Sequence, residues 1–188
     1  MNTSRVLLSK FATSDWLLLH QLDNDPMVMK YINGGVPASE EHIKDKIIPL
    51  FTRYDDVFHR FGFWKLSLVE NFDFVGWVCL RPTAQTGQAR LGYRLKKEFW
   101  GYGLATEVAA KMVEIGFSEC GLQSVVATTY EENLGSQRVL EKLGFNFSKR
   151  LKVDFSDAET TVNDPSVSWE SEDIQYILEK RDWKPVYV

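Results

Sequence analysis

The sequence has few of the residues that mark secretion, metal binding or a membrane span. Its 188 residues include two cysteines, Cys79 and Cys120, and three histidines. The cysteines show neither metal-ligand nor CxxC spacing, which favours a reducing cytoplasm. Residues 1–16 lack the apolar core of a signal peptide. No apolar run approaches the ~18 residues that a membrane helix needs. We therefore expect a cytoplasmic protein that binds neither a metal nor a membrane.

Basic residues do not predominate either. Lysine and arginine number 22 against 26 aspartates and glutamates, a net charge of −4. Because nucleic-acid binding needs a basic surface, this balance argues against it. The contents of 44% hydrophobic and 26% charged residues are ordinary for a globular protein. Without repeats or low-complexity linkers, residues 1–188 are expected to form a single domain.

Hydrophobic periodicity predicts a mixed α/β domain. Strands are expected in "SRVLLSKF", "FGFWKLSLVE", "FVGWVCLRP", "ARLGYRLKK", "QSVVATTY", "NFSKRLKVDF" and "DIQYILEKRDW". Helices are expected in "TSDWLLLHQL", "DPMVMKYINGG" and "PASEEHIKDKIIPLFTRYDDV", the last kinked or ended at Pro49. Two more helices, which begin near Ala105 and Asn133, alternate with strands. That alternation indicates a parallel strand pair near the centre of the sheet.

The stretch "WGYGLATE" places Gly101 and Gly103 between a predicted strand and a predicted helix. Glycines ahead of a helix N-terminus let the backbone approach an anion closely, where unpaired N–H groups and the helix dipole favour negative charge. The stretch matches neither the GxxxxGK[ST] nucleotide loop nor the GxGxxG dinucleotide fingerprint. Taken alone, it fits either an anion cradle or a tight turn.

The helix in "NLGSQRVLEKLGF" offers an amide and a hydroxyl together near its start. Asn133 and Ser136 are three residues apart and therefore share one face. In a strand–helix–strand–helix order, both helix N-termini can lie at the same end of the parallel strands, where such sheets bind ligands. The alternative is that Asn133 only caps the helix and Ser136 is only a polar residue of its first turn.

Together, these motifs resemble the GNAT superfamily of acyl-CoA N-acetyltransferases. "WGYGLA" is similar to its [QR]-x-x-G-x-[GA] loop, with Trp100 in the first place as in the RimJ/RimL-like branch of ribosomal-protein N-terminal acetyltransferases. "NLGSQRVLEKLGF" resembles that branch's N-x-x-S-x-x-x-L-E-K-x-G-F pattern. "LGYRL" resembles its fourth strand and "DPMVMKYINGG" its first helical region, so the resemblance extends to about Trp183. It implies a mainly antiparallel, twisted sheet flanked by helices, with a splayed parallel central strand pair.

The resemblance also implies acetyl-CoA as the donor and assigns residues to it. The strand edge formed by Tyr93, Arg94 and Leu95 would pair with the pantetheine amides. Asn133 and Ser136 would lie beside the pantetheine and the thioester. The pyrophosphate would be held by the backbone N–H groups of Trp100, Gly101, Tyr102, Gly103, Leu104 and Ala105.

Acetyl transfer to an amine needs a base, an oxyanion contact and a proton for the departing thiolate. By resemblance, the backbone N–H near Leu95 contacts the oxyanion. Many members of the family place a tyrosine on the second helix as the proton donor, but Leu140 occupies that position here. The resemblance to the RimL-like arrangement therefore assigns proton donation to Ser136.

The general base is not defined by the sequence. Related enzymes often carry a glutamate just before the strand motif "GY", where this chain has Arg90. Glu107 fits a helix-dipole role better. His59 is one candidate base, whereas His20 and His42 fall in predicted helices and are expected at the surface. A water-relayed base, or an amine that arrives neutral, stays open.

Two features are more ambiguous. Cys79, in the strand "GWVCLR", is expected to be a buried core cysteine rather than an acyl-carrying nucleophile. Residues 154–173 contain seven carboxylates and no lysine or arginine. This segment could attract a cationic substrate, but a solvated loop is the favoured interpretation.

We therefore expect an acetyl-CoA-dependent N-acetyltransferase whose primary-amine acceptor attacks the thioester directly. The acceptor is either a protein N-terminus or a small amine such as a polyamine, an amino acid or an antibiotic. The alternative from another class is an acyl-CoA-binding sensor without turnover, which the loss of the strand glutamate at Arg90 keeps open. Homodimerisation is common among relatives and is a further expectation.

Overall fold

Seven strands form one sheet with a single parallel pair among the residues described. The computed structural model describes residues 1–57, 60–152 and 172–185. The sheet order is β1-β2-β3-β4-β5-β7-β6, and all described pairings are antiparallel except β4–β5. This arrangement confirms the predicted fold class. The strands are β1 Val6–Ser9, β2 Gly62–Leu68, β3 Phe74–Pro82, β4 Gln88–Leu95, β5 Ser124–Tyr130, β6 Asn146–Lys152 and β7 Glu172–Glu179.

The helices separate into two groups along the chain. The first group precedes β2 and comprises α1 Trp16–Asp23, α2 Pro26–Asn33, α3 Glu40–His42 and α4 Ile48–Val57. The second group flanks β5 and comprises α5 Leu104–Ser118 and α6 Leu134–Lys142. Within the described part of the chain, no helix has the length and apolar character to cross a membrane.

Pro49 does not end the helical segment that contains it. A π-helical stretch, Ile43–Ile47, joins α3 to α4, and the N–H of Ile48 donates to the carbonyl of Ile43. The helix then continues through Pro49 to Val57. A wider π turn just ahead of proline relieves the clash and the lost hydrogen bond that proline imposes on a regular helix. The predicted kink or end at Pro49 was therefore wrong, because the irregularity precedes the proline.

Two hydrophobic clusters hold the helices on the sheet. In one cluster, α5 and α6 contribute Val108, Met112 and Leu140, which pack with buried residues of the central strands. In the other, α1 and the segment around α4 contribute Leu19 and Phe51. Residues of β4 alternate between the two faces, as expected for a strand with a period of two.

The parallel pair β4–β5 is short. Its register comprises Gln88↔Ser124, Ala89↔Val125 and Arg90↔Val126 and ends there. β4 continues to Leu95 along β3, and β5 continues to Tyr130 along β7. The two central strands therefore diverge after three residue pairs, and a wedge opens between their carboxyl-terminal halves.

Gly76 lets β3 approach the outer half of β4 closely. Its φ is +148°, and a Cβ added there would lie 2.1 Å from the carbonyl oxygen of Arg94. Gly76 also pairs with Leu95 at the end of β4. Only glycine tolerates both the backbone conformation and the contact.

We expect Gly76→Ala to lower the free energy of unfolding by about 2–5 kcal/mol, because strain and overpacking add. The midpoint of urea unfolding measures this loss, provided that the m-value is unchanged. Gly121→Ala is the matched control, since Gly121 has a φ of +68° but no neighbour within 4 Å of the added Cβ. It should cost about 1–2 kcal/mol, the conformational strain alone. Equal losses for the two variants would contradict the close approach at Gly76.

Candidate functional site

The outer half of β4 forms one wall of the wedge. The N–H of Lys96 donates to the carbonyl of Val75 on β3 at 2.9 Å. Because backbone groups alternate in direction along a strand, the N–H groups of Tyr93 and Leu95 point the other way, towards the wedge. These are two of the three strand residues that the sequence predicted as donor contacts.

By the same alternation, the N–H of the third residue, Arg94, faces β3 rather than the wedge. Its side chain lies on the face of β4 that is opposite to the Leu95 side chain, where Nη1 donates to Oδ1 of Asp23 at 2.5 Å. Arg94 and Asp23 are 7% and 1% exposed. This buried pair ties the end of α1 to β4, so the Arg94 side chain has a structural partner rather than a position at the wedge. The sequence did not predict the pair, because 71 residues separate its members.

The glycine loop lies beyond the end of β4 and opens α5. Gly101 and Gly103 have φ values of +83° and +82°, and a Cβ on Gly101 would meet no atom within 4 Å. Gly103 is the N-cap, and its carbonyl accepts from the N–H of Glu107 at 3.0 Å. The N–H groups of Leu104 and Ala105 belong to the first turn and have no carbonyl partner within the helix. The loop thus offers open space, positive φ and helix-terminal donors, which together suit an anion.

Trp100 connects this loop to the strand. Its indole Nε1–H donates to the carbonyl of Leu95 at 2.8 Å, and the residue is 43% exposed. Its backbone N–H donates to the carbonyl of Lys97 at 3.1 Å. That bond occupies the Trp100 N–H, the first of the six N–H groups that the sequence predicted to hold the pyrophosphate. The indole bond fixes the end of β4 relative to the loop.

Ser136 reaches the same end of the sheet from α6. Its Oγ lies 3.0 Å from the hydroxyl of Tyr93, which also donates to the carbonyl of Ser136 at 3.2 Å. Asn133 caps α6, since its Oδ1 accepts from the N–H of Ser136 at 3.1 Å. The predicted cap is therefore present, and it fixes the turn that carries Ser136. Leu140, at the position of the family tyrosine, is 1% exposed and belongs to the core.

Tyr93 keeps its proton throughout the neutral range. Burial raises the pKa of Tyr93 to about 12, although the hydrogen bond with Ser136 opposes part of that rise. A neutral phenol can orient the Ser136 hydroxyl as donor or acceptor. The sequence singled out both residues but not their contact.

Specific hydrogen bonds surround the Glu107 carboxylate, in addition to the helix dipole that the sequence indicated. It is 2% exposed, and its Oε1 accepts from the Ser4 hydroxyl and the Arg5 N–H, each at 2.9 Å. Its Oε2 accepts from Nε and Nη2 of Arg5 at 2.7 and 2.6 Å. Burial raises the pKa of Glu107, but hydrogen bonds from Thr3, Arg5 and Ser4 outweigh it, and the net pKa is lowered. Arg5 also donates from Nη1 to the carbonyl of Tyr102 at 2.9 Å.

The remaining candidates lie apart from the wedge or outside the described residues. Cys79 is 1% exposed in the core, and burial raises the pKa of its thiol, which confirms the expected buried cysteine. His20 and His42 are half-buried on α1 and α3. Arg90 stands opposite Arg81 of β3. His59 and nearly all of the acidic segment 154–173 fall outside the described residues.

A surface cleft of about 370 Å³ lies beside α5, on the side where Glu107 contacts Ser4. Thr3, Lys111, Glu114 and Trp183 are among its lining residues. The lining includes no residue of β4 or β5 and does not include Ser136. We therefore place the functional site at the wedge, where strand ends, loop and helix termini meet, rather than in this cleft.

Glu107→Gln removes the carboxylate charge and keeps the side chain's shape. We expect the free energy of unfolding to fall by about 2 kcal/mol at neutral pH, because hydrogen bonds to ionised groups contribute about 1.5–3 kcal/mol. The pKa of Glu107 lies below its ordinary value of 4.5 in the folded state. Its contribution is therefore present above about pH 4.5 and is lost as the pH falls through the folded-state pKa.

Urea unfolding at a series of pH values checks this expectation. The difference between the parent and Glu107→Gln should stay constant from about pH 6 to 8 and shrink below about pH 4.5. Glu114→Gln is the control, because its bond to Lys111 is exposed and should contribute less than about 1 kcal/mol. A difference that persists unchanged to about pH 3 would contradict the assignment.

Sequence comparison identifies the proteins that this chain resembles. Residues 5–146 match the acetyltransferase (GNAT) domain family. The chain is 28% identical over 191 residues to FsC-acetyl coenzyme A-N(2)-transacetylase of Aspergillus fumigatus, covering 97% of this chain and 77% of that protein. It is 34% identical over 146 residues to the uncharacterized N-acetyltransferase YoaA of Bacillus subtilis, covering 77% and 81%.

Solved structures share the fold. A GNAT-family acetyltransferase from Bacillus anthracis aligns with a TM-score of 0.77 at 22% identity, covering 96% of this chain and 98% of that one. Spermidine N-acetyltransferase from Vibrio cholerae aligns at 0.71 and 16% identity, covering 95% and 98%. Ribosomal-protein-S5-alanine acetyltransferase from Vibrio fischeri aligns at 0.69 and 16% identity, covering 98% of each chain.

The family match extends over most of the chain and includes the glycine loop, the outer half of β4 and the helix that carries Ser136. The sheet described above has the parallel β4–β5 pair and flanking helices of that family's fold. The chain therefore belongs to the GNAT acetyltransferase family and is an acetyltransferase.

Proposed function

We propose that this enzyme transfers the acetyl group of acetyl-CoA to a primary amine at the mouth of the wedge. One observation carries the proposal. The glycine loop, the end of β4 beyond its pairing with β5, and Ser136 lie together where β4 and β5 diverge. We infer that residues 1–188 work as one such domain. A cytoplasmic location and a homodimer stay predictions.

The residues present suit acetyl-CoA as a co-substrate. The N–H groups of Gly101, Tyr102, Gly103, Leu104 and Ala105 would hold the pyrophosphate, because positive φ and open space at Gly101 admit a close approach. The wedge-facing backbone of β4 at Tyr93 would pair with the pantetheine amides as with an added strand, and the Leu95 N–H would lie at the thioester end. Asn133 and Ser136 would lie beside the end of the pantetheine.

Acetyl-CoA supplies an acyl group activated as a thioester, and the chain's own groups stabilise its transfer. The Leu95 N–H would donate to the oxygen that becomes negative when the amine attacks the acyl carbon. The Ser136 hydroxyl would give a proton to the departing sulfur. Tyr93, protonated and 3.0 Å from Ser136 Oγ, would hold that hydroxyl in position.

We infer that the amine loses its proton to solvent water. Arg90 occupies the strand position where the resemblance implies a glutamate base, and it faces Arg81 across the β3–β4 register. The acceptor would therefore react as the neutral amine, and the rate should rise with pH through the pKa of the acceptor.

The acceptor is a primary amine of one of two classes. The RimJ/RimL-like motifs favour a protein N-terminus, and one structural neighbour is named for ribosomal-protein S5. Other relatives are named for spermidine and for an N(2) position. A panel of N-terminal peptides, polyamines and amino acids, scored by release of free thiol from acetyl-CoA, distinguishes the two classes.

Ser136→Ala tests the assigned proton donor with the best acceptor from that panel. We expect kcat to fall about 10²-fold with little change in the KM for acetyl-CoA, because the lost hydroxyl acts on the departing thiolate. Tyr93→Phe should lower kcat by a smaller factor, about 10-fold or less, since it removes only the group that orients Ser136. Steady-state kinetics of thiol release measures both effects.

Ser136→Thr, which keeps a hydroxyl, is the matched control and should retain more activity than Ser136→Ala. Unchanged turnover in Ser136→Ala would contradict the proton-donor assignment. CoA binding without acetyl transfer to any amine of the panel would contradict the proposed reaction and favour an acyl-CoA sensor.

A further inference from the structure

Arg5 links the start of the chain to the glycine loop. It immediately precedes β1, yet its guanidinium contacts residues about a hundred positions away. Nη1 donates to the carbonyl of Tyr102 at 2.9 Å, and Nε and Nη2 engage Glu107. Nη2 also lies 3.6 Å from the point where a Cβ on Gly103 would stand. One side chain thus spans the loop and the first turn of α5.

We propose that Arg5 is a positioning residue that holds the Tyr102–Gly103 peptide in the orientation required for binding the donor pyrophosphate. The proposal rests on the proposed function, namely that this loop binds the pyrophosphate of acetyl-CoA. It adds a residue outside both motifs that identified the site.

The orientation follows from the planarity of the peptide bond. The carbonyl of Tyr102 and the N–H of Gly103 belong to one trans peptide and point in opposite directions. Because the carbonyl turns towards Arg5, the Gly103 N–H turns away from it, to the side of the loop opposite the guanidinium. A glycine at positive φ can flip its preceding peptide at low cost. Without Arg5, the carbonyl oxygen could instead occupy the anion site and repel a phosphate.

Glu107 fixes the guanidinium through Nε and Nη2, so that Nη1 is directed to the loop. Its carboxylate accepts from Nε and Nη2 and from the Arg5 backbone N–H. The guanidinium is a rigid planar fork, so these bonds also set the direction of Nη1. A lysine has a single charged nitrogen on a flexible stem and cannot hold Glu107 and the Tyr102 carbonyl in the same geometry. The pair therefore acts through shape as well as charge.

Comparing two donors tests the part of CoA that contains the pyrophosphate. Acetyl-CoA carries the pyrophosphate and the 3′-phosphoadenosine attached to it, whereas S-acetyl-pantetheine has the same thioester and pantetheine arm without either. We expect Arg5→Ala to raise the KM for acetyl-CoA and the Kd for CoA about 10-fold or more. Its kcat at saturating acetyl-CoA and its kcat/KM for S-acetyl-pantetheine should stay within about 2-fold of the parent. Arg5→Lys should lose most of the CoA affinity too.

Arg60→Ala is the matched control, since Arg60 forms an exposed ion pair with Glu119 just beyond the other end of α5. It should leave both donors unaffected. Circular dichroism and unfolding midpoints establish that each variant is folded, which the 48% exposure of the Arg5 side chain favours.

Three outcomes would overturn the proposal: unchanged CoA affinity in Arg5→Ala, equal losses for the two donors, or parent-like CoA affinity in Arg5→Lys. The last would mean that positive charge alone is required. A parent enzyme that uses both donors equally well would overturn the pyrophosphate site itself, which separates failure of the proposed function from failure of the Arg5 role.

Discussion

The site depends on the early divergence of two neighbouring parallel strands. β4 and β5 pair over three residues and then separate, each still held by an antiparallel neighbour on its outer side. A buried strand normally satisfies its backbone donors through both neighbours. Divergence leaves the inner edge of the β4 end facing an opening, which an extended ligand with amide groups can fill.

Three contacts keep that opening in a fixed geometry. The close approach at Gly76 holds β4 against β3, and the Trp100 indole bonds the last carbonyl of the strand. On the opposite face, the buried pair of Arg94 with Asp23 anchors β4 to the end of α1. The strand end is therefore restrained from three directions, and the oxyanion contact proposed at Leu95 depends on such a preorganised geometry.

The sequence predicted the elements well because each has a local signal. β4 and β7 alternate apolar and polar residues, β3 has a nearly continuous apolar run, and Asn133 caps α6 as its position indicated. The prediction that the helix kinks or ends at Pro49 was wrong because the π turn ahead of the proline has no simple sequence signature. Within the site, the glycine loop and Ser136 were found from motifs, which record local backbone requirements.

Contacts between distant segments were not predictable in the same way. Arg5 and Glu107 are 102 residues apart, and Tyr93 and Ser136 are 43 apart. No repeating sequence pattern connects the members of either pair, and only folding brings them together. Glu107 was assigned to the helix dipole because its position in the first turn was visible, whereas its partner before β1 was not.

Backbone amide exchange, measured residue by residue by NMR with and without CoA, tests the central claim most directly. We expect CoA to protect the amides of Tyr93 and Leu95 and those of the loop from Gly101 to Ala105, with little change on the β3-facing amide of Arg94. Protection confined to the cleft beside Lys111 and Trp183, with none along β4 or the loop, would contradict the account.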